Sequence, residues 1–205
     1  EETKTALESF YHTVPFPVVF LETNVDYVGE AQIICMRNGE AKTLVQGRDY
    51  TARLEAEAGR KQYRYTVSPQ VFEEDGAYEV ILLSRDRASN SSDSLAQQKM
   101  VRFFMDRTPP QCLITGVSNG EICQVRELWI CLEARDTGAL ESLEVYADGV
   151  RAVSCTGTQV AEMGGMVKWR AEAKDSWQRI QARVRDQAGN EFWTEELHFY
   201  VTQAE

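Results

Sequence analysis

The stretch EDGAYEVILLSRDRASN, Glu74 to Asn90, returns one hundred residues later as KDSWQRIQARVRDQAGN, Lys174 to Asn190, and the two align without a gap. A second echo lies upstream, where Arg37, Asn38 and Gly39 match Ala147, Asp148 and Gly149. Asn-Gly and Asp-Gly close two-residue hairpins, because both central residues of such a turn need φ above zero. The offset there is 110, ten more than in the shared block, a length difference of the kind loops absorb. A 205-residue chain made of two such copies is expected to form two domains. They would cover residues 1–106, with an N-terminal extension over 1–16, and residues 107–205.

The shared block has strand periodicity. Ile180, Ala182 and Val184 alternate with Arg179, Gln181, Arg183 and Arg185, which gives one buried and one solvated face. The same alternation recurs in Leu128, Ile130, Leu132 and Ala134, in Tyr63, Tyr65 and Val67, and in Leu197, Phe199 and Val201. Strands separated by turn residues, without a sustained helical period, predict an all-β sandwich in each half. RDRASN and RDQAGN follow the block's strand in the two copies and read as turns in which an Asp side chain accepts backbone N–H bonds. Tyr78 stands two residues before the core position Val80, as in the tyrosine corner of immunoglobulin-type sandwiches. In the second copy Gln178 takes that position and Trp177 stands one place earlier, so a corner there must be built differently.

The segment from Tyr63 to Asn90, followed by VRFFMDRTPPQCLITGV from Val101, resembles the immunoglobulin-like repeats of surface and secreted proteins in Gram-positive bacteria. Phe103 to Asp106 matches the ending of one repeat; Thr108, Pro109 and Pro110 match the opening of the next. The resemblance is good over 63–117 and 175–201 and poor at 1–16. It implies two tandem immunoglobulin-like β-sandwiches outside the cell, serving as spacer, stalk or adhesive modules. No ligand site comes with it.

Composition narrows the function. Thirty-two acidic against 22 basic residues give a net charge of -10, shared equally by the two halves, so phosphate backbones and anionic lipids are repelled and no nucleic-acid partner is expected. No stretch approaches the roughly 18 apolar residues of a membrane helix, so direct membrane insertion is not expected either. A chain opening on Glu1 rather than Met is expected to be a processed or excised piece. Its two histidines, His12 and His198, stand at opposite ends, and HExxH, GxSxG, GxxxxGK[ST] and GxGxxG spacings are absent. Carboxylates such as Glu133 and Asp136 are present, but no motif sets them across a cleft. The expectation is therefore a non-catalytic module without cofactor: a semi-rigid spacer or presentation domain, stiffened at Pro109 and Pro110, whose partners are neighbouring domains of its parent protein.

The alternative is an adhesion or carbohydrate-binding module that meets a host or cell-wall glycan or protein. All four tryptophans fall in the second half, and Trp129 and Trp193 are its candidate binding residues, although core or interdomain packing is the more ordinary role of a sandwich tryptophan. Asp86, Asn90 and Asp106, with Asp136, Asp186 and Asn190, have calcium's oxygen chemistry, but turn capping explains them better. Five cysteines without CxxC spacing exclude a zinc ribbon and are expected to stay mostly reduced, with one disulfide such as Cys123 to Cys155 as the alternative. Strand parity turns Ile34, Met36, Ile81, Leu83, Met100 and Phe104 outward, where the second copy is polar, and an apolar patch of that kind marks an interface. Its expected cover is a helix bearing Ala6, Leu7, Phe10 and Tyr11, with Thr5 and Glu8 at capping-box spacing. Self-association or contact with a preceding domain is the rival.

Overall fold

An alternating strand needs a second sheet to cover its apolar face, and each half of the chain supplies one. In the computed structural model, which describes residues 11–23, 28–57, 60–86, 99–124, 127–172 and 175–202, the chain divides into two units, Glu1–Arg107 and Thr108–Glu205.

The first unit contains β1 (Tyr11–His12), β2 (Val18–Thr23), β3 (Val28–Arg37), β4 (Glu40–Thr43), β5 (Tyr50–Glu57), β6 (Arg60–Val67), a 3-10 turn (Pro69–Phe72), β7 (Gly76–Asp86) and β8 (Lys99–Met105). They form a sheet in the order β1-β8-β7-β3-β4 and a smaller one in the order β2-β6-β5. Ile33, Val80, Leu82 and Phe103 of the first sheet pack with Val18, Phe20, Tyr65 and Val67 of the second. Phe72 in the 3-10 turn stands edge-on to Tyr78 and Phe103, with ring centroids 5.3 and 5.1 Å away.

The second unit contains β9 (Gln111–Thr115), β10 (Glu121–Gln124), β11 (Leu128–Arg135), β12 (Leu140–Ala147), β13 (Val150–Thr156), α1 (Gly157–Glu162), β14 (Met166–Ala171), β15 (Ser176–Asp186), β16 (Glu191–Trp193) and β17 (Leu197–Thr202). Its large sheet runs β10-β17-β15-β12-β13, with β16 also paired to β15; its small sheet runs β14-β11-β9. Ile130 and Leu132 meet Leu143, Val145, Ile180, Ala182 and Phe199 between the sheets. In both units a short early strand, β1 or β10, pairs in parallel with the last strand, β8 or β17. Both are immunoglobulin-like β-sandwiches.

The repeated motifs have repeated mechanics. Asn38 and Gly39 take φ of 50° and 88°, and Asp148 and Gly149 take 51° and 79°, the all-positive pattern of a two-residue hairpin. Each turn is tied to the neighbouring strand: Ala77 N donates to Asn38 Oδ1, and Arg179 N to Asp148 Oδ1, both at 2.9 Å. The hairpins do not sit in the same register. Val80 pairs with Cys35, two residues before the hairpin strand ends, whereas its repeat equivalent Ile180 pairs with the final residue Ala147. A slide of two residues keeps every side chain on its own face, so the alternation survives it.

The corner differs as the sequence requires. Tyr78 Oη donates to the Glu74 carbonyl at 2.9 Å, and Gln178 Nε2 to the Glu172 carbonyl at 2.5 Å. An amide therefore does the phenol's work. Asp186 accepts from the backbone N–H and the side-chain amide of Asn190, both at 2.8 Å, which makes RDQAGN the turn expected of it.

One expectation is corrected, the disulfide alternative is excluded, and one helix is present that the strand pattern did not lead one to expect. Tyr11 belongs to β1, paired to Phe104, and not to a helix; Thr5, Ala6, Leu7, Glu8 and Phe10 lie outside the described residues. All five cysteines are free, and β10 and β13 form opposite edges of one sheet, about 19 Å apart at ordinary strand spacing. That distance forbids a Cys123 to Cys155 bridge. α1 carries a capping box in which Gln159 N donates to Thr156 Oγ1 and Thr156 N to Gln159 Oε1, a T-x-x-Q signature that strand periodicity does not announce.

Candidate functional site

Among the described residues, an extended side-chain cluster lies on the outer face of the second unit's large sheet. Along β15, Ile180, Ala182 and Val184 are fully buried, which turns Trp177, Arg179, Gln181, Arg183 and Arg185 outward. Register brings Trp193 of β16 beside Arg183 on one side, and Glu144 of β12 beside it on the other. Glu144 has outward parity yet is only 5% exposed.

It is buried by its own partners. Tyr146 Oη donates to it at 2.8 Å, Arg151 Nη1 at 2.9 Å, and Arg183 Nη2 approaches to 2.7 Å. Burial alone would push this carboxyl up; the Tyr146 hydroxyl and the two guanidinium groups outweigh it and hold it below its ordinary range. Trp193 closes over the network, its ring 5.3 Å from Tyr146 and 5.6 Å from the Arg183 guanidinium carbon, while 43% of its surface stays open. Arg183 Nε beneath it is buried without a hydrogen-bond partner.

Six residues along β15, roughly 20 Å at 3.3 Å per residue, Trp177 stands edge-on to Tyr200 at 5.8 Å and is 56% exposed. The arginines on this face are matched. Arg151 pairs with Glu144, Arg179 with Glu196, Arg183 with Glu144 and Glu191, and Arg185 with Glu141 and Glu191.

Trp129 is half exposed on β11, in the other sheet, so it and Trp193 do not form one platform. In the first unit Ile34, Ile81 and Met100 stand side by side across β3, β7 and β8. Together with Met36 and Leu83 they are half-buried, while Phe104 is exposed and stacks on Tyr11 at 5.1 Å. A 460 Å³ groove in the same unit is lined by Cys35, Lys42, Arg48, Asp49, Glu73 and Tyr78, among others. Burial pushes the Cys35 thiol up to about 11, so it stays protonated at neutral pH and is no nucleophile. The Arg48 hydrogen bond holds Asp49 down to about 2.

Of the calcium candidates, Asp106 is buried and its N–H donates to the His12 carbonyl at 3.0 Å. Asp86 closes β7, with its side chain outside the description, and Asn90 lies outside the described residues. Asp136 and the fully buried Asp186 bring carboxylate oxygens within 4.8 Å of each other. Desolvation pushes Asp136 up, and its Oδ1 is buried without a partner. Glu133 pairs with Arg135 at 3.3 Å.

Sequence reasoning missed Glu144, Tyr146, Arg151 and Arg183 as a unit. The signal was present: Glu144 and Tyr146 share a face two residues apart, and an arginine follows the hairpin at position 151. Reading it required the cross-strand register.

No protein-family model matches this chain, and no curated protein matches it in sequence. Solved structures resemble it in fold. The fibronectin(III)-like modules of Clostridium thermocellum CbhA align with 10% identity and a TM-score of 0.41, over 96% of this chain and 90% of theirs. Murine CEACAM1b aligns with 9% identity and a TM-score of 0.44, over 94% and 96%. A tetra-tandem repeat from the extending region of a large adhesion protein aligns with 12% identity and a TM-score of 0.40, over 89% and 48%. Similarity at this level concerns sandwich modules as a fold and carries nothing about activity.

Proposed function

We propose that this chain is a non-catalytic extracellular module of a bacterial surface or secreted protein, a semi-rigid spacer that presents what it is joined to. The observation that supports this most is that each unit closes its own two-sheet core and carries its own corner bond, the construction of a self-sufficient bead on a string. The likeness of residues 63–117 to repeats of Gram-positive surface proteins points the same way, as do Pro109 and Pro110 at the junction. Two measurements test the reading. Residues 1–107 and 108–205, expressed apart, should each unfold cooperatively. Antibodies against the chain should label intact cells of its source, and labelling that requires permeabilisation overturns the extracellular assignment.

The aromatic cluster around Trp193 favours a second reading, in which the second unit is an adhesion or carbohydrate-binding reader.

A further inference from the structure

We propose that the outer face of the second unit's large sheet binds an uncharged oligosaccharide, with Trp193 as the stacking platform and Trp177 as a second contact along the same strand. This deepens the second reading and rests on it. The indole of Trp193 is held from beneath by Tyr146 and the Arg183 guanidinium, and those two are fixed by the buried Glu144 carboxylate. A ring locked in this way loses little freedom on binding, so its exposed surface is available to the C–H face of a pyranose without a large ordering cost. Around it stand planar polar groups whose oxygens and nitrogens suit hydroxyl pairs: Glu191, Arg185 and Gln181.

Charge decides between occupants. Arg151, Arg179, Arg183 and Arg185 each have a carboxylate partner in Glu144, Glu196, Glu191 or Glu141, so these arginines do not make a positive patch on a chain of net charge -10. Among the described residues of this face, an anionic glycan or acidic protein finds no arginine without a carboxylate already beside it. Charged arginines between the two aromatic sites also break any continuous apolar area that a protein partner would need to bury. A neutral chain of hydroxyls and C–H faces fits both the spacing and the charge.

The test is affinity electrophoresis of the full chain through native gels containing a neutral β-glucan, a mannan or a galactan, with polygalacturonate as the anionic comparison. The expected result is retardation by at least one neutral polysaccharide. Trp193→Ala should weaken it at least tenfold and Trp177→Ala by a smaller factor, while Trp129→Ala, on the other sheet, leaves it unchanged. Because Trp193 and Trp177 are about half exposed and lie outside the core between the sheets, their variants should keep the parent's far-UV spectrum, which verifies folding. No retardation by any neutral gel, retardation that survives Trp193→Ala, or retardation by polygalacturonate alone overturns the proposal. Each of these leaves the spacer reading standing, since that reading fails only on folding or cell-surface exposure.

Discussion

Replacing Glu144 by alanine should destabilise residues 108–205 by about 2–3 kcal/mol, as expected when a hydrogen-bonded ion pair at a buried carboxylate loses its anion. The figure lies below the roughly 3–5 kcal/mol of a fully buried pair because the Arg183 and Arg151 side chains remain 29% and 58% exposed and recover some hydration. Glu144→Gln keeps an acceptor in place and should cost about 1 kcal/mol. Urea unfolding followed by tryptophan emission is the assay, because all four tryptophans belong to this unit and the signal ignores the other. With a denaturant slope of roughly 1–1.5 kcal/mol per molar for a domain of this size, Glu144→Ala should lower the midpoint by about 2 M. The pH dependence follows from the direction of the shift. The folded carboxyl lies below its ordinary value of 4.5, so its contribution is complete above that value and is lost as pH falls through the folded pKa. The gap between the parent and Glu144→Gln should therefore narrow as the pH falls below 4.5. A midpoint change under about 0.5 M, or a gap equal at pH 3 and pH 7, would refute the idea that this network supports the unit.

Further outcomes are expected. Gly149→Ala, at φ 79° with open space around it, should cost about 1 kcal/mol through backbone strain alone, whereas Gly157→Ala should prevent the second unit from folding, because its Cβ would overlap the Leu140 carbonyl; circular dichroism of the two variants separates them. Tyr78→Phe should lower the first unit's stability by about 1 kcal/mol, the worth of one hydrogen bond, and an unchanged melt would deny the corner its role. Asp136→Asn removes a buried, unpartnered oxygen next to the Asp186 carboxylate. With the Asp136 pKa raised in the fold, the gain should amount to about 1 kcal/mol at pH 7 and vanish on acidification, read from thermal melts at both pH values. Thiol titration should find five free sulfhydryls in denaturant and slow reaction of Cys35 in the folded chain at pH 8, since its thiol titrates near 11.

Period-two alternation and the Asn-Gly and Asp-Gly turns were readable in the sequence because each depends on neighbours within a few residues. Ile180, Ala182 and Val184 carry their burial in their spacing, and Asn38 and Asp148 carry their φ in their chemistry. What escaped depends on partners distant in sequence. The two-residue slide of the β12–β13 hairpin against β15 leaves no mark on the alternation. The helix α1 rests on one capping box and on tertiary contact more than on propensity. Glu144 reads as a solvated charge until β12, β13 and β15 lie side by side, when three donors converge on it. Trp129 and Trp193 both face outward, but only sheet assignment reveals that they face opposite ways.

The parallel pairing of β10 with β17 has a mechanical meaning. A module pulled by its two ends draws an early strand and a final strand past each other, and parallel partners then share the load across all their hydrogen bonds instead of unzipping one at a time. Four residue pairs, Glu121 to Gln124 against Phe199 to Thr202, form that clasp in the second unit, while among the described residues two pairs, Tyr11 and His12 against Phe104 and Met105, form it in the first. Under tension applied through β10 and β17, the four pairs of the second unit must give way together before its large sheet opens, so its aromatic face stays intact up to that force.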